Sequence, residues 1–513
     1  MHRPTLVLSI SVPLAFSAAP VLAAVTISSS ATSNMSCSGG ICAPTDKKAV
    51  LNVGDLEGFL ASGNVTVTTT GSGVQANDIH VSSALGWANS STLSLEANRS
   101  IAINSAVSIT GLSGLTVDTG KNGALSFGKK GNVTFANLSS QLTINGSAFT
   151  LAGDIKTLAS DIATSPGGNF ALANNYNASG DGTYPAPPIG VFTGTVEGLG
   201  NAISNFSIDG VTLTNDEGLT GEALEGLFAE VGTNGLVENI GLVNANVVCS
   251  FSGRHKLVLV ASLVALNYGT VHTSDATGAV RGQKPGLYLG GLVGSNLGTI
   301  SDSHAGVAVS GKNGGRGGGI VDLNQGTVSE SYATGSVSGV FVGGLVDQNF
   351  GTVSGSYATG DVQVLNFPNQ PTNGGGLVSV SSGTIINSYA TGAVSGVDES
   401  TVGGLVGINA DTISFSYSSG AVTGGAGSTV GGLIGEDAAP AGSLDDTYWD
   451  TDTSGITNLS QGAGNIANDP GITGLTTAQF QSGLPAGFDP AVWVENPSIN
   501  GGLPYLLANP PPK

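Results

Sequence analysis

The side chains of this chain most able to do chemistry are its carboxylates, and their spacing decides what they can do. Asp450-Thr451-Asp452-Thr453-Ser454-Gly455, just after Asp445-Asp446, sets acids on alternate positions ahead of a glycine, as in the first half of a calcium loop. Such a loop closes with a bidentate glutamate at its twelfth position, where Gln461 stands, so the run is read as Asx-turn structure rather than as a cation site. Glu225 and Glu230 lie close enough to pair as general acid and base, but a solvated strand edge is the expectation. His80, His255, His272 and His304 are scattered, and no His-Glu-x-x-His zinc-protease motif occurs. The glycine run Gly314-Gly315-Arg316-Gly317-Gly318-Gly319 lacks the lysine and the following helix of a phosphate-binding loop. The expectation is therefore a protein with no catalytic residue, no cofactor and no metal.

The three cysteines add little chemistry. Cys37 and Cys42 are near neighbours, and an oxidising compartment would permit a small loop between them, with zinc as the alternative. Cys249 reads as a small buried apolar residue. Export is indicated at the other end of the argument: His2 and Arg3 precede an uncharged run from Pro4 to Ala23 that ends in Val21-Leu22-Ala23. This is the layout of a secretory signal peptide over residues 1–23, cut after Ala23. The later apolar run Leu257–Leu266 is too short to cross a bilayer and reads as a buried strand, so no membrane span is expected after cleavage.

Among 513 residues there are 81 glycines, only 10% are charged and 40% are apolar, a composition that favours strands and tight turns over helices. Lys and Arg number 15 against 35 Asp and Glu, and losing Arg3 takes the formal charge from −20 to −21. Nucleic acid is excluded as a partner, because phosphate binding needs clustered cations and the nearest approach is Lys129-Lys130.

The elements that must position these side chains are announced by a repeat. A glycine pair followed by an aliphatic pair recurs at Gly290-Gly291, Gly318-Gly319, Gly343-Gly344, Gly375-Gly376, Gly403-Gly404 and Gly431-Gly432, with intervals of 28, 25, 32, 28 and 28 residues. Ala261-Ser262-Leu263-Val264 is a degenerate earlier copy. Each unit continues through Asn-x-Gly-Thr and Ser-Tyr-Ala-Thr-Gly, as in Asn324–Val328 and Ser331–Gly335, which gives three short strand-like pieces and no helical period. A period of this length signals a solenoid, and three pieces per unit suit a three-sided coil.

In such a coil like residues stack in columns, and variation down a column shows which way it faces. Asp275, His304, Tyr332, Tyr357, Tyr389 and Tyr417 share one position, and because Asp and His are costly inside, this column is expected to face solvent. The serines before it and Ala276, Ala305, Ala333, Ala358 and Ala390 after it are expected inside. Asn267, Asn296, Asn324, Asn349 and Asn409, with Ser381 replacing one, should form an amide ladder at a turn. The repeat carboxylates Asp302, Asp322, Glu330, Asp347 and Asp361 do not share a single column.

The string Gly-Gly-Leu-Val-Gly-x-Asn-x-Gly-Thr-Ile, continued by Ser-x-Ala-x-Gly-x-Val, closely resembles the GLUG motif of bacterial surface proteins. Upstream, Asn77–Val107 and Gly131–Leu151 resemble filamentous-haemagglutinin-like adhesins, while Asp446–Asp450 and Gly501–Leu506 resemble the segment that closes such repeats. The resemblance implies a right-handed parallel β-helix of the all-β class, secreted or displayed on the outer surface of a Gram-negative-type cell. Its implied partners are glycans or proteins on host or neighbouring cells, and an outer-membrane secretion partner, although the family's Asn-Pro-Asn secretion motif does not occur in these residues. The rival implied by the fold is a polysaccharide lyase or hydrolase, and a third reading is an envelope or biofilm scaffold. The expected organisation is a signal peptide (1–23), N-terminal coils (24–160), irregular transition coils (161–255), GLUG-like repeats (256–440) and a closing segment (441–513). Some 15 to 18 coils would make a rod of roughly 70 to 90 Å at about 4.8 Å per coil.

Overall fold

The computed structural model describes residues 23–213, 222–250, 257–368 and 370–512. The expected signal peptide therefore lies outside the described residues, apart from Ala23. The chain is all-β, 47% strand and 6% helix, and winds into a parallel β-solenoid of about 16 turns. Among the described residues no helix is long and apolar enough to cross a membrane.

The N-terminal coils follow the alternation of their sequence. Ile79, Val81, Leu93, Leu95, Ile101, Ile103 and Val107 are all buried, because successive strand residues point to opposite faces. Asp78–Val81 pairs in parallel with Ile101–Ile103 so that Ile79 meets Ile101 and Val81 meets Ile103. Two helices interrupt the coils where the composition argued against helices. In α1 (Val53–Ser62) the Asn52 side chain accepts from the amides of Gly54 and Asp55, and Leu56 and Leu60 are buried. In α2 (Ile155–Thr164) Asp154 caps the start by accepting from Thr157, and Ile155, Leu158 and Ile162 form the buried stripe. Cys37 and Cys42 are joined in a disulfide across the hairpin Met35–Ser38 with Ile41–Pro44. Cys249 is buried.

In the repeats each coil carries four main strands rather than three. One coil runs Arg316–Gly318, Val321–Asn324, Thr327–Ser329 and Tyr332–Ala333, with an added piece at Val337–Gly339. The glycine pair makes the extra corner. A Cβ on Gly318 would lie 2.0 Å from the Val321 carbonyl oxygen of its own coil, and one on Gly319 would lie 2.0 Å from the Gly344 carbonyl of the next. Only glycine allows this close approach of backbones. The run Leu257–Leu266 is buried as expected except for half-buried Leu257, and the same corner divides it into Leu257–Ala261 and Val264–Asn267.

The inward columns are as anticipated. Ala276, Ala305, Ala333, Ala358 and Ala390 have no exposed surface. The asparagine ladder forms: Nδ2 of Asn267, Asn296 and Asn324 each donates to Oδ1 of the next asparagine at 2.8 Å. Asn349 continues it to Ser381 Oγ at 3.3 Å, and Asn409 ends it on Asp437 at 2.8 Å.

The tyrosine column requires a correction. It points away from the solenoid core, but Tyr357, Tyr389 and Tyr417 have no exposed surface, since they pack with Phe480, Phe488, Trp493 and Leu506 in a cluster of their own. The closing segment explains this. Its first part covers the end of the solenoid, with Gly462 carbonyl accepting from the amides of Leu433 and Ile434. After α3 (Thr477–Phe480) the chain turns back along the side, where Tyr417 Oη donates to the Pro504 carbonyl at 2.7 Å and Trp493 Nε1 to Asn387 Oδ1 at 3.2 Å. Asp275 and His304 are accommodated in the same column because they lie beyond the reach of this strap, where it is only half-buried.

Candidate functional site

Parallel pairing brings residues distant in sequence to within one coil of each other, about 4.8 Å. At the corner after the third strand this aligns Glu197 with Glu238, Glu238 with His272, and His272 with Ser301. The adjoining position carries Asn239, Thr273, Asp302 and Glu330, all with positive φ, so one corner is built the same way in successive coils. Glu197 is 2% exposed, and its carboxyl accepts from the Leu199 amide at 2.7 Å and Asn239 Nδ2 at 3.0 Å. Burial, and then the neighbouring Glu238, push its pKa well above the carboxylate range, and burial raises Glu238 as well. His272 Nδ1 is 2.9 Å from Ser301 Oγ and 3.5 Å from Asp302. Glu330 is raised by burial and by Asp302. A histidine flanked by carboxylates can relay a proton, but the inner carboxyl of this row is sealed in the wall rather than offered to a substrate.

A second group lies in the wall near the glycine corner. Arg316 stands between the rings of Tyr288 and Phe341, at 5.2 and 4.9 Å from their centroids, and its Nε donates to Asp347 Oδ2 at 2.8 Å. Asp322 occupies the position of Asp347 one coil earlier, and both have no exposed surface. The five repeat carboxylates indeed do not share one column, yet four of them meet in two, Asp322 with Asp347 and Asp302 with Glu330.

Glu225 overturns the expectation of a solvated edge: it has no exposed surface, and burial raises its pKa to about 8, partly offset by the Cys249 thiol and the Gly210 amide. It does not pair with Glu230, which sits half-buried on the separate strand Phe228–Val231. Asp450 is buried and behaves as an Asx turn, accepting from the amides of Asp452 at 2.9 Å and Thr453 at 3.3 Å. Its other oxygen accepts from Thr477 Oγ1 at 2.6 Å, which ties the turn to α3.

The surface left open by the strap is of another kind. Thr270, Thr299, Thr327, Thr352 and Thr384 follow one another in register on the third strand, with Ser301, Ser329 and Ser354 in the parallel row. All are half-exposed, and Tyr268, Leu297 and Phe350 border them at 38, 39 and 51% exposure.

No family model matches the chain. It is similar to Halomucin of Haloquadratum walsbyi (strain DSM 16790 / HBSQ001), 35% identical over 144 residues, which is 26% of this chain and 1% of that protein. The chain thus spans about a hundredth of that relative's length. No solved structure matches.

The Glu197, Glu238 and His272 row escaped the sequence reading for a geometric reason. These residues belong to coils of irregular length before the regular repeat, so no fixed interval aligns them. Knowing that Val196, Val237 and Val271 pair in register would have revealed it, because each precedes one member of the row.

Proposed function

We propose that this protein is an exported, surface-exposed or secreted adhesin-like solenoid of the GLUG and filamentous-haemagglutinin kind, which binds glycans or proteins of cell surfaces without turning them over. The observation that carries this reading is the long row of half-exposed Thr and Ser hydroxyls, edged by Tyr268, Leu297 and Phe350, on a solenoid of about 16 turns. Repeated weak contacts along such a face add up through effective concentration. The buried tyrosine column is not that face: its rings stack at 4.8 to 5.2 Å and turn their flat sides to one another rather than to a sugar. The similarity to Halomucin is compatible with a role outside the cell. A second reading, polysaccharide hydrolysis or lysis, is favoured by the row Glu238, His272, Asp302 and Glu330, where titratable groups adjoin in the way acid–base chemistry needs. A glycan and cell-binding array run beside a reducing-sugar and unsaturated-product assay separates the two. Retained binding without product supports the adhesin, product formation lost in His272→Ala establishes the enzyme, and neither binding nor product defeats both.

A further inference from the structure

The Arg316 group is unfinished. Asp322 Oδ1 and Oδ2 and Asp347 Oδ1 are buried without a hydrogen bond of regular geometry; the Leu289 amide faces Asp322 and the Ser379 hydroxyl faces Asp347, both outside that geometry. An uncompensated charge inside a protein is costly, so buried carboxylates are paired, hydrogen-bonded or bound to an ion. Arg316 hydrogen-bonds only one of them, Asp347. Its plane is held between Tyr288 and Phe341, and its Nε is committed to Asp347. When both are ionised, two carboxylates and one guanidinium leave one uncompensated negative charge, and burial accordingly pushes Asp322 well above its ordinary pKa and Asp347 to about 6.

The repeat itself shows that this is a local feature rather than part of the coil's design. The equivalent position holds Gly294 in the coil before, then Asp322 and Asp347, then Ser379 and Gly407. Carboxylates occur only in the two coils that adjoin the arginine. We infer that Asp322 and Asp347 hold a buried monovalent cation, sodium by the hardness of its oxygen ligands, which completes the charge left by Arg316. A divalent ion would overshoot that charge and lacks the number of carboxylates such ions draw on.

The test is thermal melting of the full chain at pH 8 in NaCl, KCl, choline chloride and CaCl₂ at equal ionic strength, with sodium-23 relaxation as a direct readout. The expected result is a Tm several degrees higher in NaCl than in choline chloride, and broadening of the sodium signal. Both effects should vanish in Asp322→Asn and in Asp322→Ser, which installs the residue the fold already accepts at position 379, and persist in the remote variant Asp46→Asn. Equal melts in NaCl and choline chloride, or a sodium effect that survives both Asp322 variants, would overturn the inference. A preference for calcium would overturn its charge argument, and stability that follows pH but no cation would assign the place to a proton.

Discussion

The N-terminal coils and the repeat coils are the same fold held together in two ways. Between Val25 and Leu199 the interior is a cluster of large aliphatic side chains with Trp87 and Phe135, set by plain alternation along the strands. In the repeats the interior is Val, Leu, Ile and Ala, almost without aromatic side chains, and much of the remaining cohesion comes from ladders: asparagine amides, serine hydroxyls and, on the outside, stacked tyrosines under a strap. The difference teaches that regular coil length is what makes long ladders possible. A long ladder needs the same residue at the same height in many turns, which the repeats supply; the irregular coils before them carry the short amide run from Asn244 to Asn205 to Asn177. Irregular coils rely mainly on packing, which tolerates variation in length.

The comparison breaks most sharply at the alanine column. Ala333→Asp, a charge placed where a Cβ on Gly319 would already lie 2.6 Å from Ala333, should cost about 3–5 kcal/mol, while Thr334→Asp on the exposed neighbour should cost little. Chemical denaturation of the pair measures it; equal losses would mean the faces are reversed. Next come the large buried side chains of either region. Tyr389→Ala under the strap and Leu95→Ala in the N-terminal core should each lose about 2–5 kcal/mol, whereas Tyr332→Ala, half-exposed beyond the strap, should lose clearly less. If Tyr332 and Tyr389 behave alike, the strap does not hold in solution.

A single rung of the amide ladder is a smaller matter. Asn324→Ala removes one acceptor of Asn296 Nδ2 and the donor to Asn349 Oδ1 and should cost about 1–3 kcal/mol, with hydrogen exchange rising first in the coils of Asn296 and Asn349. Change spread evenly over the chain would argue against a ladder.

The pH dependence of the two regions should have opposite signs, so its effect on a global melt is the smallest and is best read region by region. The Arg99 guanidinium holds Asp78 below the usual carboxylate pKa, so this contribution is present near neutral pH and disappears as pH falls through the depressed value. Later in the chain burial raises Glu197 far above its ordinary pKa and Glu225 to about 8. There the native state holds protons that the unfolded chain releases above its ordinary carboxylate pKa of about 4.3, so stability falls as pH rises through the interval up to about 8. Hydrogen exchange at pH 3.5 and pH 8 should show the coil of Asp78 loosening in acid and the coils of Glu197 and Glu225 loosening in base. The same direction in both regions would refute the contrast.

Periodicity by itself determined the solenoid, its asparagine ladder and its buried alanines, because in a parallel coil every repeat is an independent report on one position. The burial of Ile79, Leu95 and Ile103 was legible for an equally local reason, alternation along a strand. The rest depended on what lies across the coil or returns to it. Whether Tyr389 meets water was decided by Trp493, about a hundred residues later, and no property of the repeat encodes that encounter. The Glu197 row and the Arg316 group were decided by register between coils of unequal length, where sequence distance says nothing about height along the axis. Tertiary structure alone could place Glu225 inside, since a carboxylate's burial depends on the strands stacked against it and not on its neighbours in the chain.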